Sequence, residues 1–575
     1  MANPAEDDVA QLANDLGVSD NIASLLIQRG IRNFEQSKTF FRPSLDDLHD
    51  PFLMKDMQKA VDRIQAAIQN NERILVYGDY DVDGTTSVAL LFSFLTETYP
   101  HVATYIPDRY TEGYGVSFAG IDYAHQHNYS LIIALDCGIK AIDKVAYAKE
   151  KGIDFVICDH HRPGTEVPNA VAVLDPKQED CLYPYKELCG CGVGFKLIQA
   201  LASANGKTIE DLIPYLDFVA TAIGADIVPI TGENRVLAYY GLIQINDNPR
   251  PGFKALISNL DQKLSMTDVI FKIAPRINAA GRMEHGSYAV ELLVEKQLSK
   301  AKSMAEGIET FNSSRKELDK EITEAALDQI LKNKEETHFT SVVYDPTWHK
   351  GVIGIVASRL TESYYRPTLV FTKSGDKLAA SARSVKGFDV YNALEACADC
   401  LEQFGGHMYA AGLTMLPEQF LPFKEKFEKI VSLSIDKRLL IPEIKAHLKI
   451  DFNDITPKFY RLLKQFAPFG PGNSLPVFLS QNLRDTGDSK CVGQDSLHLR
   501  LCVAQSDGVI FEGIGFNLGD KLALVKSGQP MDILYTIDEN HFRGQTTLQL
   551  KVKDIKPTIL NELEGQSGSE NLLGK

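Results

Sequence analysis

Three short stretches rich in aspartate and histidine each follow directly after a segment with the pattern of a buried β-strand. The strand segment 73–77 precedes the stretch 78–84 (GDYDVDG), the segment 131–135 precedes 136–138 (DCG), and the segment 155–158 precedes 159–161 (DHH). In an open parallel sheet, ligands bind at the carboxyl ends of the strands. We therefore expect side chains from all three stretches to meet at one edge of one sheet.

The segments between these strands favour a parallel arrangement. Residues 139–152 have the length and the mixed charged and apolar composition of a helix, which gives the βαβ alternation of a doubly wound α/β fold. After the first strand, Gly84 permits a tight turn into a helical run that starts with hydroxyl residues at Thr85. The free N–H groups of that helix start are expected to form a phosphate cradle.

Clustered carboxylates repel one another unless a positive charge lies between them, so the pattern predicts a pair of divalent metal ions. Carboxylate oxygens with imidazole and no thiolate suit Mn²⁺ or Mg²⁺ better than structural Zn²⁺. Two such ions are suited to the hydrolysis of phosphate esters. A calcium-binding EF-hand is disfavoured, because Leu90 occupies the twelfth loop position counted from Asp79 and a strand precedes the loop.

Composition limits the other possibilities. The 575 residues carry a net charge of −16, which opposes loose binding to duplex DNA but leaves room for local basic grooves. Nine cysteines and the lack of an apolar segment after Met1 lead us to expect a cytoplasmic protein, and no apolar run is long enough for a membrane partner. Gly206-Lys207-Thr208 lacks the glycine of a P-loop, so ATP is not expected.

The motifs at 79–84 and 159–161, in this order, resemble the DHH phosphoesterase superfamily. The remaining motifs are similar, over nearly the whole chain, to those of the bacterial exonucleases of that superfamily that act on single-stranded DNA. They are 105–110 (YIPDRY), 112–115 (EGYG), 224–226 (GAD), 274–282 (APRINAAGR), 348–354 (WHKGVIG), 381–384 (SARS), 405–407 (GGH), 410–412 (AAG) and 469–473 (FGPGN).

The resemblance implies roles for individual residues. The implied metal ligands are Asp79 (in or beside the first shell of ligands), Asp81, Asp83, Asp136, His160 and Asp226. The implied catalytic residues are His161, next to the scissile phosphate, with Asp83 and Asp159. The implied substrate-binding residues are Arg109, Arg276, Arg282, Ser381, Arg383 and His407. Arginine pairs with phosphate oxygens in a fixed fork, although a surface ion pair is the alternative for Arg109 and Arg282.

Pattern and resemblance together predict a doubly wound DHH domain joined by a long helix to a smaller α/β DHHA1 domain, plus a C-terminal OB-type β-barrel. The predicted segments are an N-terminal helical segment packed on the first domain (1–70), the DHH domain (71–285), a connecting helix (286–335), the substrate-gripping DHHA1 domain (336–440), the OB domain (441–557) and a disordered tail (558–575). For the helix, drifting heptads leave a coiled coil as the alternative.

The resemblance implies a metal-dependent exonuclease that digests single-stranded DNA from 5′ to 3′, releases 5′-mononucleotides and acts in recombination and repair. By the same analogy, its partners are single-strand-binding protein and a repair helicase. Two alternatives remain open at this point. One is a DHH phosphodiesterase acting on oligoribonucleotides or cyclic dinucleotides, and the other is a catalytically silent DNA-binding factor built on the same fold.

Overall fold

The computed structural model describes residues 4–258, 262–542 and 544–558. The chain divides into two compact units, one of residues 48–443 and one that combines the first 47 residues with the chain from Ile444 onward. Except for Thr558, the predicted disordered tail at 558–575 lies outside the described residues.

Strands and helices alternate through most of the chain, and each is numbered in chain order. The strands are β1 (Arg73–Gly78), β2 (Val102–Tyr105), β3 (Tyr129–Leu135), β4 (Asp154–Cys158), β5 (Ala172–Leu174), β6 (Ser341–Tyr344), β7 (Thr368–Ser374), β8 (Lys377–Arg383), β9 (Gln403–His407), β10 (Ala410–Met415), β11 (Leu448–Lys449), β12 (Phe478–Asp485), β13 (Lys490–Val492), β14 (His498–Ala504), β15 (Ile510–Gly515), β16 (Met531–Phe542) and β17 (Gln545–Pro557). The helices are α1 (Glu6–Leu16), α2 (Asp20–Ile27), α3 (Phe34–Phe41), α4 (Met57–Gln69), α5 (Val82–Leu95), α6 (Phe118–Gln126), α7 (Ile142–Glu150), α8 (Gly190–Ala204), α9 (Leu216–Ala225), α10 (Gly232–Asp247), α11 (Pro251–Leu256), α12 (Met266–Asp268), α13 (Ala274–Met283), α14 (Ser287–Val294), α15 (Leu298–Lys332), α16 (Ile353–Tyr364), α17 (Val390–Glu395), α18 (Phe420–Ser434), α19 (Pro457–Lys464) and α20 (Leu522–Val525).

The first sheet confirms the predicted parallel architecture. Its strand order is β2-β1-β3-β4-β5, and every neighbouring pair runs parallel. Strands β1, β3 and β4 are almost continuously apolar and buried, as expected when both faces of a sheet are covered. Helices α6 and α7 bury one face in a cluster with Ile132 and Ile157. The three stretches predicted to meet therefore leave adjacent strands at the same edge.

Helix α5 begins three residues before the predicted start at Thr85. Asp81 is its N-cap, and the Asp81 carboxylate accepts a hydrogen bond of 3.0 Å from the Gly84 N–H. The Thr85 N–H donates to the Asp81 carbonyl oxygen at 2.9 Å. The Asp81 carboxylate therefore binds one of the N–H groups at this turn, and the phosphate cradle stays a prediction.

The segment predicted as one connecting helix contains two helices, α14 and the 35-residue α15. Helix α15 contacts α11, α13 and α16. Ile308, Ile322 and Ile330 of α15 are buried within the unit, so α15 packs as an ordinary core helix. The sheet that follows has the order β6-β7-β8-β10-β9, in which only the β6–β7 pair is parallel.

The N-terminal helices do not pack as predicted. Leu12, Leu25 and Leu26 share one buried cluster with Phe459 and Leu463 of α19, so residues 1–47 belong with the C-terminal unit. The sequence shows that α1 and α2 have an apolar face but does not show what covers it. Residues 48–70 do belong to the unit of the first sheet, where α4 contacts β5 and α8.

The C-terminal sheet has the order β11-β12-β16-β17-β15-β14-β13. Strands β12 and β14 pair as well, through Arg484 with Ala504 and Asp485 with Val503. This pairing links the two ends of the path β12-β16-β17-β15-β14. Alternate residues of β14, including Leu499, Leu501 and Val503, point into the buried cluster.

Candidate active site

His160 lies at the centre of the acidic edge of the first sheet and is 5% exposed. Its Nε2 atom lies 3.2 Å from Asp136 Oδ1, 3.6 Å from Asp226 Oδ2 and 3.8 Å from Asp83 Oδ2. Asp136 follows β3 with a φ of 58°, and Asp226 follows the last turn of α9. Ligand atoms of these residues form two groups that could each hold a metal ion, Asp83-His160-Asp226 and Asp136-His160-His161.

The start of helix α8 holds the Asp83 carboxylate. Its two oxygens accept hydrogen bonds of 2.7 Å from the Gly190 and Cys191 N–H groups. A carboxylate at a helix N-terminus is stabilised by the free N–H groups and the helix dipole. Gly190 is required here, because a Cβ at this position would lie 2.5 Å from Asp136 Oδ1. The glycine lets the helix approach both acids closely.

Burial raises the pKa values of the clustered carboxyl groups. For Asp83, Asp136 and Asp226 the loss of water is the largest cause, and the charges of the other aspartates add to it. Burial, with the charge of His161, lowers the pKa of His160 to about 3, so its imidazole is neutral. A neutral imidazole among carboxylates that repel one another is the donor set of a divalent cation site.

Asp79 and Asp81 lie at the same edge but outside the two groups around His160. Asp79 is fully buried, and its Oδ1 accepts a hydrogen bond of 2.7 Å from the Tyr80 N–H. Burial and the charge of Asp81 raise the pKa of Asp79 well above its usual range. The charge of Asp81 also raises the pKa values of Asp83 and Asp136, so all four acids share one electrostatic field.

Asp159 faces His161 rather than the other acids. Its Oδ1 lies 2.7 Å from His161 Nδ1 and accepts from the N–H groups of His160 and His161, and its Oδ2 accepts from the Ile139 N–H at 2.9 Å. Burial alone would raise the pKa of Asp159, but these hydrogen bonds and the charge of His161 lower it to about 2. Burial lowers the pKa of His161, but the hydrogen bond to Asp159 and the charge of Asp159 raise it. The resulting pKa of His161 is about 9.

Three of the predicted arginines lie together. Arg109 stacks 3.8 Å above the Tyr80 ring and donates to the Gly281 carbonyl oxygen at 2.8 Å. Arg282 donates to the Gly351 carbonyl oxygen at 2.9 Å. Burial, followed by the charges of Arg109, Arg383 and Arg315, lowers the pKa of Arg282 to about 10. Within the described residues neither Arg109 nor Arg282 pairs with a carboxylate, which disfavours the surface ion-pair alternative.

The other predicted substrate residues differ in placement. Arg383 Nη1 lies 3.1 Å from Ser381 Oγ on strand β8, so these two side chains form one polar pair. His407 and His161 line the same cavity. Arg276, in contrast, donates to Glu309 Oε2 at 2.6 Å and joins α13 to α15. This ion pair gives Arg276 a structural role, and we leave it out of the proposed phosphate clamp.

Two cationic residues near the site escaped the sequence analysis. Arg315 on α15 is 8% exposed, and its Nε has no hydrogen-bond partner among the described residues. The charge of Lys177 acts on Asp226, His160 and His407. Lys177 follows Asp175 at the end of β5, so the apolar run before Asp175 could have marked a fourth strand end.

Buried atoms without partners support the binding of a cation. Asp136 Oδ1, Asp79 Oδ2 and His160 Nε2 are shielded from solvent and have no hydrogen-bond partner among the described residues. A buried polar atom of this kind is costly unless something compensates it. Hard oxygen donors with one imidazole suit Mn²⁺ or Mg²⁺, so the residues present fit the predicted metals.

Comparison with known proteins shows the family to which this chain belongs. Family models match the DHH family N-terminal domain at residues 73–223, the DHHA1 domain at 316–433 and the RecJ OB domain at 446–554. The single-stranded-DNA-specific exonuclease RecJ of Bacillus subtilis (strain 168) is 35% identical over 564 residues, which is 96% of this chain and 70% of that protein. The chain belongs to the RecJ family. The match confirms the resemblance inferred from the motif order.

Other RecJ proteins match over similar lengths. RecJ of Escherichia coli (strain K12) is 33% identical over 533 residues, or 88% of this chain and 91% of that protein. The crystal structure of RecJ in complex with Mn²⁺ from Thermus thermophilus gives a TM-score of 0.84 at 26% identity, covering 97% of this chain and 79% of the other. The predicted DHH and DHHA1 architecture, with a C-terminal domain of the OB type, is thus confirmed.

Among the residues that the structure describes, no helix has both the length and the apolar character needed to cross a membrane.

Proposed function

We propose that this chain is a metal-dependent exonuclease that hydrolyses phosphodiester bonds in single-stranded DNA from the 5′ end and releases 5′-mononucleotides. The observation that carries the proposal is the convergence of Asp83, Asp136, His160 and Asp226 at one sheet edge, with cationic side chains nearby. The relatives of this chain are named single-stranded-DNA-specific exonucleases, and a solved RecJ holds Mn²⁺. Both facts support the assignment.

Asp83, Asp136, His160 and Asp226 would hold two Mn²⁺ or Mg²⁺ ions, with Asp81 and Asp79 completing the set of ligands. Such ions, when bound, stabilise charge on the phosphoryl oxygens and supply a nucleophilic hydroxide at neutral pH. The α8 N–H groups fix the orientation of Asp83, and the neutral imidazole of His160 presents Nε2 to the same point. The protein thus builds the site in advance of substrate binding.

We propose that His161 acts on the scissile phosphate. Asp159 holds His161 through Nδ1 and favours the protonated imidazole, which leaves Nε2 as a hydrogen-bond donor. That donor can stabilise negative charge that develops on a phosphate oxygen. Tyr114, whose hydroxyl lies 3.5 Å from His161 Nε2, marks where that nitrogen points. In this scheme Asp159 positions His161 and does not itself touch the substrate.

We infer that the arginine cluster selects the 5′ end of the strand. Arg109, Arg282 and Arg383 would bind the 5′-terminal phosphate, because guanidinium groups form bidentate hydrogen bonds with phosphate oxygens. Ser381 adds a hydroxyl donor beside Arg383. A terminal phosphate held there would bring the next phosphate to the metal site, and cleavage would then release one nucleotide. In this proposal the segment 336–440, which carries Ser381, Arg383 and His407, holds the strand against the DHH domain.

The two alternatives are disfavoured. A phosphodiesterase for oligoribonucleotides or cyclic dinucleotides would not account for the RecJ OB match over 446–554 or for relatives named as exonucleases along most of the chain. A catalytically silent factor could lose its metal ligands, yet every predicted metal position carries a competent side chain. Measuring the Mn²⁺ content of purified protein by mass spectrometry after metal loading separates a silent factor from an enzyme.

Digestion of end-blocked strands tests the proposal. Single-stranded 30-mers blocked at the 5′ end, the 3′ end or neither end are incubated with Mn²⁺ or with Mg²⁺, and the products are resolved by chromatography. We expect mononucleotides from the open and 3′-blocked strands only. Asp81→Ala should abolish release while leaving the circular dichroism spectrum unchanged. Digestion of the 5′-blocked strand, or undiminished activity of Asp81→Ala, would refute the assignment.

We further propose that the protein works in the cytoplasm with single-strand-binding protein and a repair helicase, which together would supply single strands with free 5′ ends. The support is the analogy with other exonucleases of single strands. A purified single-strand-binding protein and a helicase acting on duplex DNA should each raise the rate of nucleotide release. The absence of any stimulation by either protein would remove the proposed partnership.

A further inference from the structure

A cavity of about 580 Å³ opens beside the acidic cluster, and the loops that follow β2, β3 and β4 all contribute to its lining. Its lining includes the loop after β3 and Gly405–His407 of β9. Tyr114, Val116 and Ile139 give the cavity an apolar surface. Lys140, Lys144 and Arg162 surround this surface, and we call these three residues the basic rim. The function proposed above assigns no role to the basic rim.

The strand order explains where the rim lies. Arg109 follows β2 at one side of the sheet, whereas Lys140 follows β3 and Arg162 follows β4. The acids after β1 and β3 lie between Arg109 and Arg162. Neighbouring strands are about 4.8 Å apart, so β2 and β4 are separated by about 14 Å. Positively charged residues therefore follow strands on both sides of the acidic stretches after β1 and β3.

The rim is available to an anion. Lys144 Nζ lies 3.0 Å from Asp143 Oδ2 and also lies over the Phe118 ring. Lys140 and Arg162 are exposed, and neither forms an ion pair within the part of the chain that the structure describes. Burial lowers the pKa of His407, and the positive charge of Lys140 lowers it further, so these two side chains lie near each other. The cavity thus offers two free cations next to an apolar wall, which is how a nucleotide is usually held.

Asp159 links the rim to the reaction centre. The same carboxylate that binds His161 accepts the hydrogen bond from the Ile139 N–H, and Ile139 precedes Lys140. The loop that carries Lys140 is therefore fixed relative to His161 by one buried side chain. A phosphate bound by Lys140 would keep a defined distance from the scissile phosphate at His161.

We propose that this cavity binds the second nucleotide of the strand, on the 3′ side of the scissile bond, with its base on the apolar wall and its 3′ phosphate at the basic rim. The inference rests on the proposed exonuclease function and deepens it. The arginine cluster selects the strand end, the metal site cleaves the first linkage, and the rim holds the strand that remains. This predicts that a strand with a third nucleotide binds better than a dinucleotide.

The test compares substrates that have or lack the phosphate at the rim. A 5′-phosphorylated dinucleotide contains a terminal phosphate and a scissile phosphate only, whereas a 5′-phosphorylated 20-mer also carries the phosphate after its second nucleotide. The variant is Lys140→Ala/Arg162→Ala, and the control is Lys149→Ala, an exposed lysine on α7. Both altered residues of the variant are exposed, so the fold should be kept, and melting temperatures check this.

For the double variant we expect the KM for the 20-mer to rise about tenfold, as for the loss of a charged hydrogen bond. The KM for the dinucleotide should stay within about twofold, and Lys149→Ala should change neither. In binding measurements by fluorescence anisotropy, the salt slope for the 20-mer should fall by about 0.7 for each phosphate that the variant no longer binds. An equal rise in KM for both substrates, or no change for the 20-mer, would overturn the inference.

Failure of the exonuclease assignment itself would look different. Wild-type protein would then release no mononucleotides from either substrate, while the anisotropy measurement would still report on the rim. A 20-mer with an abasic second nucleotide tests the apolar wall in the same assay. It should bind wild-type protein more weakly than the intact 20-mer, and equal binding would contradict the placement of the base.

Discussion

At the scale of single residues, Asp159 shows how one buried carboxylate can orient a catalytic group. We expect Asp159→Asn to lower kcat by about 10- to 100-fold, the usual effect of removing a partner that orients a functional histidine. The amide cannot hold the protonated form of His161, whose raised pKa depends on the Asp159 charge. The KM for single-stranded DNA should change little.

The kcat of Asp159→Asn is measured with 5′-labelled strands at saturating Mn²⁺, and Asp62→Asn on the exposed side of α4 serves as the matched control. A loss of activity equal to that of Asp81→Ala would place Asp159 among the metal ligands instead.

Gly190 has a different role, because it makes room for two acids. Its absent side chain lets the start of α8 lie against Asp136 while its N–H binds Asp83. We expect Gly190→Ala to weaken Mn²⁺ binding, measured by isothermal titration calorimetry, at least tenfold, because the added methyl group would displace Asp136. Gly307→Ala on α15 is the control, since nothing lies within 4 Å of that position. It should keep metal affinity and stabilise the helix by up to about 1 kcal/mol.

The residues of the site that the sequence could reveal are those next to strand ends. Asp83, Asp136 and His160 follow recognisable apolar runs, and parallel strands bring such positions together whatever the details. The N–H partners of Asp83 could not be predicted in this way, because Gly190 is 107 positions away and a helix start carries no mark of the acid it will meet. Arg315 was missed because an arginine on a charged helix usually faces solvent.

At the scale of elements, a forked ion pair adds to the apolar contact between α15 and α16. Arg359 donates through Nε and Nη2 to both oxygens of Asp319, at 2.7–2.9 Å. Asp319→Ala should lower the free energy of unfolding by about 1–2 kcal/mol, because the bonds are charge-assisted but Arg359 is half exposed and regains water. Urea unfolding of the full chain measures the change.

The matched control on the same helix is Glu324→Ala. Its contact with Lys320 is 3.9 Å long and exposed on both sides, so the expected change in stability is below about 0.5 kcal/mol. Equal effects of Asp319→Ala and Glu324→Ala would show that the forked pair of Arg359 and Asp319 contributes no more than a surface pair.

Periodicity predicted the existence of elements better than their ends. The runs before the acidic stretches become β1, β3 and β4 within two residues of their predicted starts. The start of α5 was misplaced because the capping acid, Asp81, was read only as a metal ligand, although aspartate is also a favoured N-cap. The break between α14 and α15 was missed because apolar residues continue at helical spacing on both sides of it.

At the scale of the whole molecule, the first 47 residues contribute to a core whose other members lie more than 400 positions later. Leu26→Asp should therefore destabilise the C-terminal unit, because it places a charge in that core. Hydrogen exchange measured by mass spectrometry should show lost protection in β12 and β16 while β1 and β3 stay protected.

Phe34→Asp, at a side chain that is 54% exposed, is the control for Leu26→Asp. It should leave the hydrogen-exchange protection of β12 and β16 and that of β1 and β3 unchanged. Lost protection in β1 and β3 would instead favour the packing on the first domain that the sequence analysis predicted.

The net charge of −16 and a substrate that is a polyanion predict a strong dependence of binding on salt. The attraction must come from a few local cations, chiefly Arg109, Arg282 and Arg383, because the protein as a whole repels DNA. Each phosphate contact to a single strand contributes about −0.7 to the slope of log K against log salt, so three contacts require a slope of at least about −2. Arg383→Gln should reduce the slope by about 0.7 in fluorescence anisotropy measured on the Asp81→Ala background. An affinity that is the same at low and high salt would mean that contacts other than these arginines hold the strand.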